Sequence, residues 1–253
     1  MSPREDGSRR VALVTGAARG LGACIAGRLY DRGHHVALTD LDAKAAAEVA
    51  AELDPEGRTA VGLGLDVRDK DAFVTVRDQL AERWGAVHVL VNNAGQSKAE
   101  ELMEISPDSF GQVVSTNLNG VFFGCQVFGA YFAERGYGRI VNIASLAGQN
   151  GGTATGAHYA AAKGAVATLT KVFARELGPH GVTVNAISPG PLDLPVVREM
   201  VPPDQLAAIE RSSPARRLGR PGFIADMAVL LSAEHADAVT GACWDANSGL
   251  FMR

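Results

Sequence analysis

A phenol and an ammonium stand four residues apart in "HYAAAKGA", residues 158–165, where Tyr159 and Lys163 are separated by alanines. At i and i+4 the two side chains share one face of a helix. A free phenol titrates near ~10, too high to take up a proton readily at neutral pH. A fixed ammonium nearby favours the phenolate and lowers that value. Lowering it by about three pH units corresponds to roughly 4 kcal/mol, within reach of one or two positive charges in a partly dry site. A phenol tuned in this way is a competent general acid or base. Fourteen residues earlier, "NIASLAG" carries Ser145, whose hydroxyl could hold a reacting oxygen. Each signal has a plainer reading. A Tyr–Lys pair on a helix is often a packed ring beside a snorkelling amine, and Ser145 alone is a polar strand end.

What must position these groups is an alternation of elements. "RVALVTG", "HHVALTD", "TAVGLGLDV", "VHVLVNN", "GRIVNIAS", "GVTVNAISPG" and "GACWDANSG" read as seven strands. Several are apolar on nearly every residue, as parallel strands buried on both faces are. Helical patterns lie between them, including "AKAAAEVAAEL", "KDAFVTVRDQLAERWG" and "AHYAAAKGAVATLTKVFAREL". The alternation predicts an α/β protein: one doubly wound, Rossmann-like parallel sheet of about seven strands with helices on both faces. Residues 10–253 form a single domain in this reading, preceded by a flexible segment at 1–9, with no linker or repeat dividing it. The stretch "SPDSFGQVVSTNLNGVFFGCQVFGAYFAERG" reads as one helix, apolar nearly all round. A helix wet on one side shows a polar stripe. A second copy of the protein is the simplest cover for this one, and burial within its own domain is the alternative.

"TGAARGLG", residues 15–22, follows the first strand and opens a helix. There Gly16 turns the chain, Gly20 lets bare backbone approach a ligand and Gly22 lets helix and strand lie close. Arg19 and Leu21 sit in the same loop. The N–H groups and partial positive charge of the helix start suit a pyrophosphate. Asp40 closes the second strand about 20 residues on, where a carboxylate accepts from both hydroxyls of an adenosine ribose and repels a 2′-phosphate. Asp40 therefore favours NAD, while Arg19 leaves NADP open. Asp42 reads as a helix N-cap. Asp66 and Val67 end the third strand where an adenine edge would lie, with an N-cap as the other reading of Asp66. "NNAG" brings Asn93, Ala94 and Gly95 to the carboxyl edge of the fourth strand, where such sheets bind ligands.

The bulk properties narrow the class. The chain has 253 residues, 47% hydrophobic and 21% charged, enough for a sizeable core. A formal net charge of −4 gives no electrostatic reason to expect nucleic acid. No apolar run reaches the roughly 18–20 residues of a membrane span, and the charged opening "MSPREDGSRR" lacks the apolar region of a secretory signal. Cys24, Cys125 and Cys243 are scattered, so neither a disulfide framework nor a metal site is indicated. A cytoplasmic protein is expected.

In combination, "TGAARGLG", "NNAG", "STNLNG", "NIAS", "YAAAK" and "ISPG", in that order, resemble the short-chain dehydrogenase/reductase family of single-domain, 250-residue type. The resemblance runs from residue 10 to the end. It implies Asn117, Ser145, Tyr159 and Lys163 as a catalytic tetrad, Asn117 holding a water that links the lysine to solvent. From the residues alone, Asn117 could equally be a satisfied core amide. The resemblance also implies that Tyr159 and Lys163 contact the cofactor, Lys163 through the nicotinamide ribose, and that Ile187, Ser188, Pro189 and Gly190 line the nicotinamide. Two departures stand out. Leu194 replaces a common Thr, and the Ser145–Tyr159 gap is one residue longer, an extra residue that the glycines of "GQNGGTATG" can absorb.

Residues 191–215 would form a substrate lid, broken by Pro202 and Pro203. Leu192, Leu194, Val196, Val197 and Met200 face either the pocket or the domain. Gln149, Asn150 and His158 are candidate polar contacts, His158 reading more readily as a partly exposed helix-start residue. The C-terminal "GACWDANSGLFMR", the apolar helix and the alanine-rich tyrosine helix favour a homotetramer, with a dimer as the fallback. The expected activity is hydride transfer between NAD(H) and a secondary alcohol or ketone. An NADPH-dependent 3-oxoacyl reductase is the alternative, which "SPARRLGRP" resembles. A dinucleotide sensor without turnover is the reading from another class.

Overall fold

The computed structural model describes residues 9–152 and 155–252, and within these it leaves the side chains of Val196 and Met200 aside. The expected flexible segment at 1–9 falls almost wholly outside the described residues. Arg10 is buried, and its guanidinium lies 2.8 Å from Glu234.

The first half of the chain forms β1 (Val11–Thr15), α1 (Gly20–Asp31), β2 (His35–Asp40), α2 (Ala43–Leu53), β3 (Ala60–Gly64), α3 (Lys70–Trp84) and β4 (Val89–Asn92). The second half forms α4 (Pro107–Val114), α5 (Gly120–Ala133), β5 (Gly138–Ile143), α6 (Ala147–Asn150), α7 (Ala157–Leu177) and β6 (Val182–Pro189). It ends with α8 (Pro195–Met200), α9 (Pro203–Ser212), α10 (Pro221–Leu231) and β7 (Cys243–Ala246). The sheet is parallel throughout, in the order β3-β2-β1-β4-β5-β6-β7. The order reverses between β1 and β4, and the crevice outside their carboxyl ends is where such sheets take ligands.

Alternate strand residues feed two cores. Val11, Leu13, Leu90, Ile140 and Val184 pack with Phe73, Phe128 and Val166 on the face covered by α3, α5 and α7. Ala12, Val14, Val89, Val91 and Val141 pack with Ile25, Leu29 and Ile224 beneath α1 and α10. Asp42 caps α2 as expected, accepting from Ala45 N–H. The cap of α3 is Asp69, not Asp66.

The long apolar stretch is not one helix. Ser115–Asn119 form a π turn between α4 and α5, with Gly120 N–H bonded back to Ser115. Asn117 supplies a local cause. Its amide donates at 2.9 Å to the Val113 carbonyl four residues earlier, competing with the backbone for that acceptor. Such bulges concentrate at functional sites. The apolar character of α5 is largely met inside the chain. Val121, Cys125, Val127, Phe128, Tyr131 and Phe132 are buried, which leaves Phe122 and Phe123 half-covered beside Phe173.

Candidate active site

Ser145 follows β5, and Leu146 N–H bonds to the Pro189 carbonyl at 2.9 Å, tying this turn to the end of β6. Tyr159 lies half-buried in the first turn of α7, with the Ser145 hydroxyl near enough to act on its phenol as a hydrogen-bonding group. Lys163 is buried one helical turn further, with Nζ 5.7 Å from the Tyr159 ring centre and 2.6 Å from the Ile143 carbonyl, to which it donates. In the loop between Ser145 and Tyr159, Gly151 and Gly152 both take positive φ. Thr153 and Ala154 lie outside the described residues.

The electrostatics depart from expectation in one respect. Burial raises the Tyr159 phenol above its ordinary value, and the Ser145 hydrogen bond offsets this only in part. Burial also lowers Lys163 to about 8. The expected depression of the phenol by the ammonium is absent because Lys163 is itself desolvated and directed at a carbonyl rather than at the phenol oxygen.

Asn117 is fully buried and fully bonded. Its amide donates to the Gln96 carbonyl at 2.7 Å as well as to Val113, and its Oδ1 accepts from Gln96 N–H at 3.2 Å. It clamps the segment leaving β4. Gly95 is required there, since a Cβ would stand 2.8 Å from Asn117 Oδ1 and 3.6 Å from Lys163 Nζ. The core-amide reading of Asn117 holds: it is a buried, hydrogen-bonded amide that borders the segment beside Lys163.

On the other side of the crevice, Gly16 and Gly20 take positive φ. A Cβ on Gly22 would lie 2.1 Å from the Gly16 carbonyl oxygen, so only glycine lets α1 approach the loop. Nothing stands within 4 Å of a Cβ position on Gly20, which leaves bare backbone facing open space. The cradle thus fits a dinucleotide pyrophosphate. Leu21 is half-buried against the core beneath α1, and Arg19 is exposed at the helix start. The Asp40 carboxylate lies against the glycine loop, accepting from Ala18 N–H and Asp42 N–H, both at 3.2 Å.

Asn93 and Ala94 are tied to the loop through Thr15, a residue the motif reading passed over. Thr15 Oγ1 accepts from both their N–H groups at 3.0 Å. The Asn93 amide donates to the carbonyls of Thr15 and Gly16. Asn93 therefore shapes the cradle from behind. Asp66 lies two residues past β3, and its carboxylate is gripped by Arg68 through paired bonds that lower its pKa. Val67 is buried beneath Gly120. Pro189 and Gly190 end β6, where Gly190 N–H bonds to the Ala246 carbonyl. Ser188, next to them, buries a hydroxyl without a partner among the described residues.

On the substrate side, Leu192 is buried, and Leu194 and Val197 are half-buried. Gln149 donates to Asp245, and Asn150 accepts from Gly152 N–H. His158 is not a partly exposed residue. It is wholly buried, with Nε2 3.1 Å from Glu100. A separate cavity of about 640 Å³, lined by Arg28, Arg217, Arg220 and Phe223, does not include the Ser–Tyr–Lys group. No cluster of metal-ligating residues and no helix long and apolar enough to cross a membrane occurs among the described residues.

Residues 16–250 match the family model described as enoyl-(acyl carrier protein) reductase. The 3-oxoacyl-[acyl-carrier-protein] reductase of Vibrio harveyi is 35% identical over 243 residues, covering 96% of this chain and 98% of that protein. The chain belongs to the short-chain dehydrogenase/reductase family. As a member of it, the protein is an NAD(P)-dependent oxidoreductase. A (2S)-[(R)-hydroxy(phenyl)methyl]succinyl-CoA dehydrogenase subunit of Thauera aromatica is 34% identical, covering 92% of each chain. Among solved structures, a candidate gluconate dehydrogenase from Agrobacterium tumefaciens superposes with a TM-score of 0.90 at 32% identity, covering 96% of both chains. A short-chain dehydrogenase/reductase of this architecture is thus shared by proteins whose names carry quite different substrates.

Proposed function

We propose that the protein interconverts a secondary alcohol and a ketone with NAD(H), Tyr159 serving as general acid/base. The Ser145–Tyr159 pair beside buried Lys163, at the carboxyl edge of the sheet, is the observation that carries this reading. When bound, the nicotinamide supplies or takes the hydride. Ser145 holds the substrate oxygen, and Tyr159 exchanges a proton with that same oxygen. Burial favours the protonated phenol, the form that donates to a carbonyl in reduction, and the phenolate so formed takes the proton back in oxidation. Lys163 supplies positive charge beneath it and is in place to bind the nicotinamide ribose. Asn117 holds the Gly95–Gln96 backbone that borders Lys163. On the cofactor side, Gly16, Arg19, Gly20, Leu21 and Gly22 cradle the pyrophosphate, with Asn93 and Ala94 behind them. Asp40 receives the ribose hydroxyls, while Asp66 and Val67 border the adenine and Pro189 and Gly190 the carboxamide. The retained Ser–Tyr–Lys set speaks against a sensor without turnover.

Asp40, oriented by two backbone N–H groups, supports NAD over NADP. An NADPH-dependent 3-oxoacyl reductase is the second reading. The 3-oxoacyl reductases among the relatives and the exposed Arg19 favour it. We place the protein in the cytoplasm, as a homotetramer or else a dimer, with residues 191–215 closing over substrate. Purified protein should oxidise NADH in the presence of simple ketones or acetoacetyl-CoA, with kcat/KM for NADH at least ~10-fold above that for NADPH, about 1.4 kcal/mol. Asp40→Ala should erase this preference. Equal or better turnover with NADPH in the unaltered protein sinks the NAD assignment, and no turnover with either cofactor across the panel sinks the enzyme.

A further inference from the structure

The first turn of α7 carries the proposed acid/base, yet its N-cap is Gly156, which has no side chain with which to cap it. An uncapped helix start leaves N–H groups short of acceptors. Here the acceptor comes from inside the helix. Tyr159 N–H donates to His158 Nδ1 at 3.0 Å while also reaching the Gly156 carbonyl at 3.1 Å. An imidazole nitrogen that accepts a hydrogen bond carries no proton, so the proton of the neutral ring sits on Nε2. Nε2 faces Glu100 Oε2 at 3.1 Å. Glu100 is in turn held by the Ser109 hydroxyl and by Lys98, whose Nζ lies 2.9 Å from both Ser109 Oγ and Glu100 Oε1. Those bonds, with that of Ser109 first, keep the Glu100 carboxyl near 2, so it stays an acceptor at any working pH.

Gly156 completes the arrangement. A Cβ there would stand 2.2 Å from His158 Cε1 and 2.6 Å from the Lys98 carbonyl, which accepts from Gly156 N–H. The absence of a side chain at the cap is thus the space that the imidazole and the loop occupy. The segment Gln96–Glu100 is pinned at one end to Asn117 and at the other to His158.

We propose that His158 and Glu100 are positioning residues: the carboxylate fixes the imidazole tautomer, and the imidazole fixes the turn that aims the Tyr159 phenol. The inference rests on the functional reading of Tyr159 above. It parallels the general arrangement in which a carboxylate orients a histidine, but here the histidine holds backbone instead of moving a proton.

The test uses the full-length protein with NADH, or NADPH if that proves the better cofactor, and with acetoacetyl-CoA. His158→Ala should lower kcat about 10- to 100-fold, as a small misplacement of a reacting group does. KM and nicotinamide affinity should stay within about twofold. His158→Asn, whose Oδ1 can replace Nδ1 as acceptor, should recover most of kcat, and Gly156→Ala should behave like His158→Ala. Independently of turnover, long-range 1H–15N correlations of the imidazole should report the Nε2–H tautomer, lost in Glu100→Leu. An Nδ1–H tautomer overturns the inference. So does an unchanged kcat in His158→Ala when Tyr159→Phe is inactive. If Tyr159→Phe remains active, the functional reading falls instead, and the imidazole spectrum still decides whether His158 caps the helix.

Discussion

Replacing Asn117 by leucine, which has the same branching and the same number of side-chain heavy atoms, removes three hydrogen bonds without opening a cavity. The acceptors and donor left behind are the Val113 carbonyl and the carbonyl and N–H of Gln96. Asn117 is fully buried, and the bulkier leucine methyl groups must also be accommodated against those carbonyls, which adds to the loss. A buried polar group left unpaired costs about 1–3 kcal/mol. Gln96 is exposed, and water can recover part of its share. The sum is then about 2–4 kcal/mol, against a total stability on the order of 5–15 kcal/mol. Asn117→Leu should therefore fold but unfold at a lower urea concentration, the midpoint shift multiplied by the slope giving the loss. Hydrogen exchange at Gln96 N–H should accelerate, and kcat should fall because the Gly95–Gln96 backbone borders Lys163. Asn117→Asp is the control. Its carboxylate would face two carbonyls, so at neutral pH it should be at least as damaging as leucine. A loss below about 0.5 kcal/mol for Asn117→Leu would refute the claim that this amide clamps the loop to the π turn.

Lys163 titrates near 8 in the folded protein, against an ordinary 10.5. Between those values the unfolded chain holds a proton that the native state has released, so stability rises with pH there while turnover that needs the ammonium declines. Denaturation and rate profiles should cross in this way, and Lys163→Met should flatten the stability limb. Burial lowers the His34 pKa to about 4, although its Nδ1 donates to the Leu29 carbonyl, and its Nε2 has no partner among the described residues. Its unfolded state takes up a proton first, so about 3 kcal/mol is lost as pH falls from ~6.5 to ~4. His34→Asn should blunt that acid limb in thermal melts. Gly22→Ala drives a Cβ to 2.1 Å from the Gly16 carbonyl oxygen and should cost roughly 1–3 kcal/mol. Titration with NADH, followed by fluorescence, should show at least ~10-fold weaker binding.

Much of this architecture is legible in the chain because the inner strands β1, β2, β4, β5 and β6 are buried along most of their length, while the part-buried edge strands β3 and β7 follow from their place in the strand–helix alternation. β1 through β7 lie where their apolar runs fall, and α2 and α7 begin and end where capping and periodicity place them. The π turn is not legible. No proline or glycine marks it before Gly120, and the hydrogen bonds that hold Asn117 there, to the Val113 carbonyl and across to Gln96, are not contained in local propensity. The burial of His158 is not legible for a related reason: its partner Glu100 lies 58 residues upstream. The Arg68–Asp66 ion pair just past the third strand is likewise not marked by the strand pattern. The direction of the Tyr159 shift depends on how the Lys163 amine is aimed, and spacing along a helix does not encode aim.

The most direct measurement is the turnover of Tyr159→Phe, followed by nicotinamide absorbance with acetoacetyl-CoA and a panel of ketones, alongside cofactor affinity. The change removes one hydroxyl and keeps the ring. Loss of at least ~10²-fold in kcat with nicotinamide binding intact is the expected result. A variant that turns over like the parent would contradict the assignment of proton transfer to Tyr159.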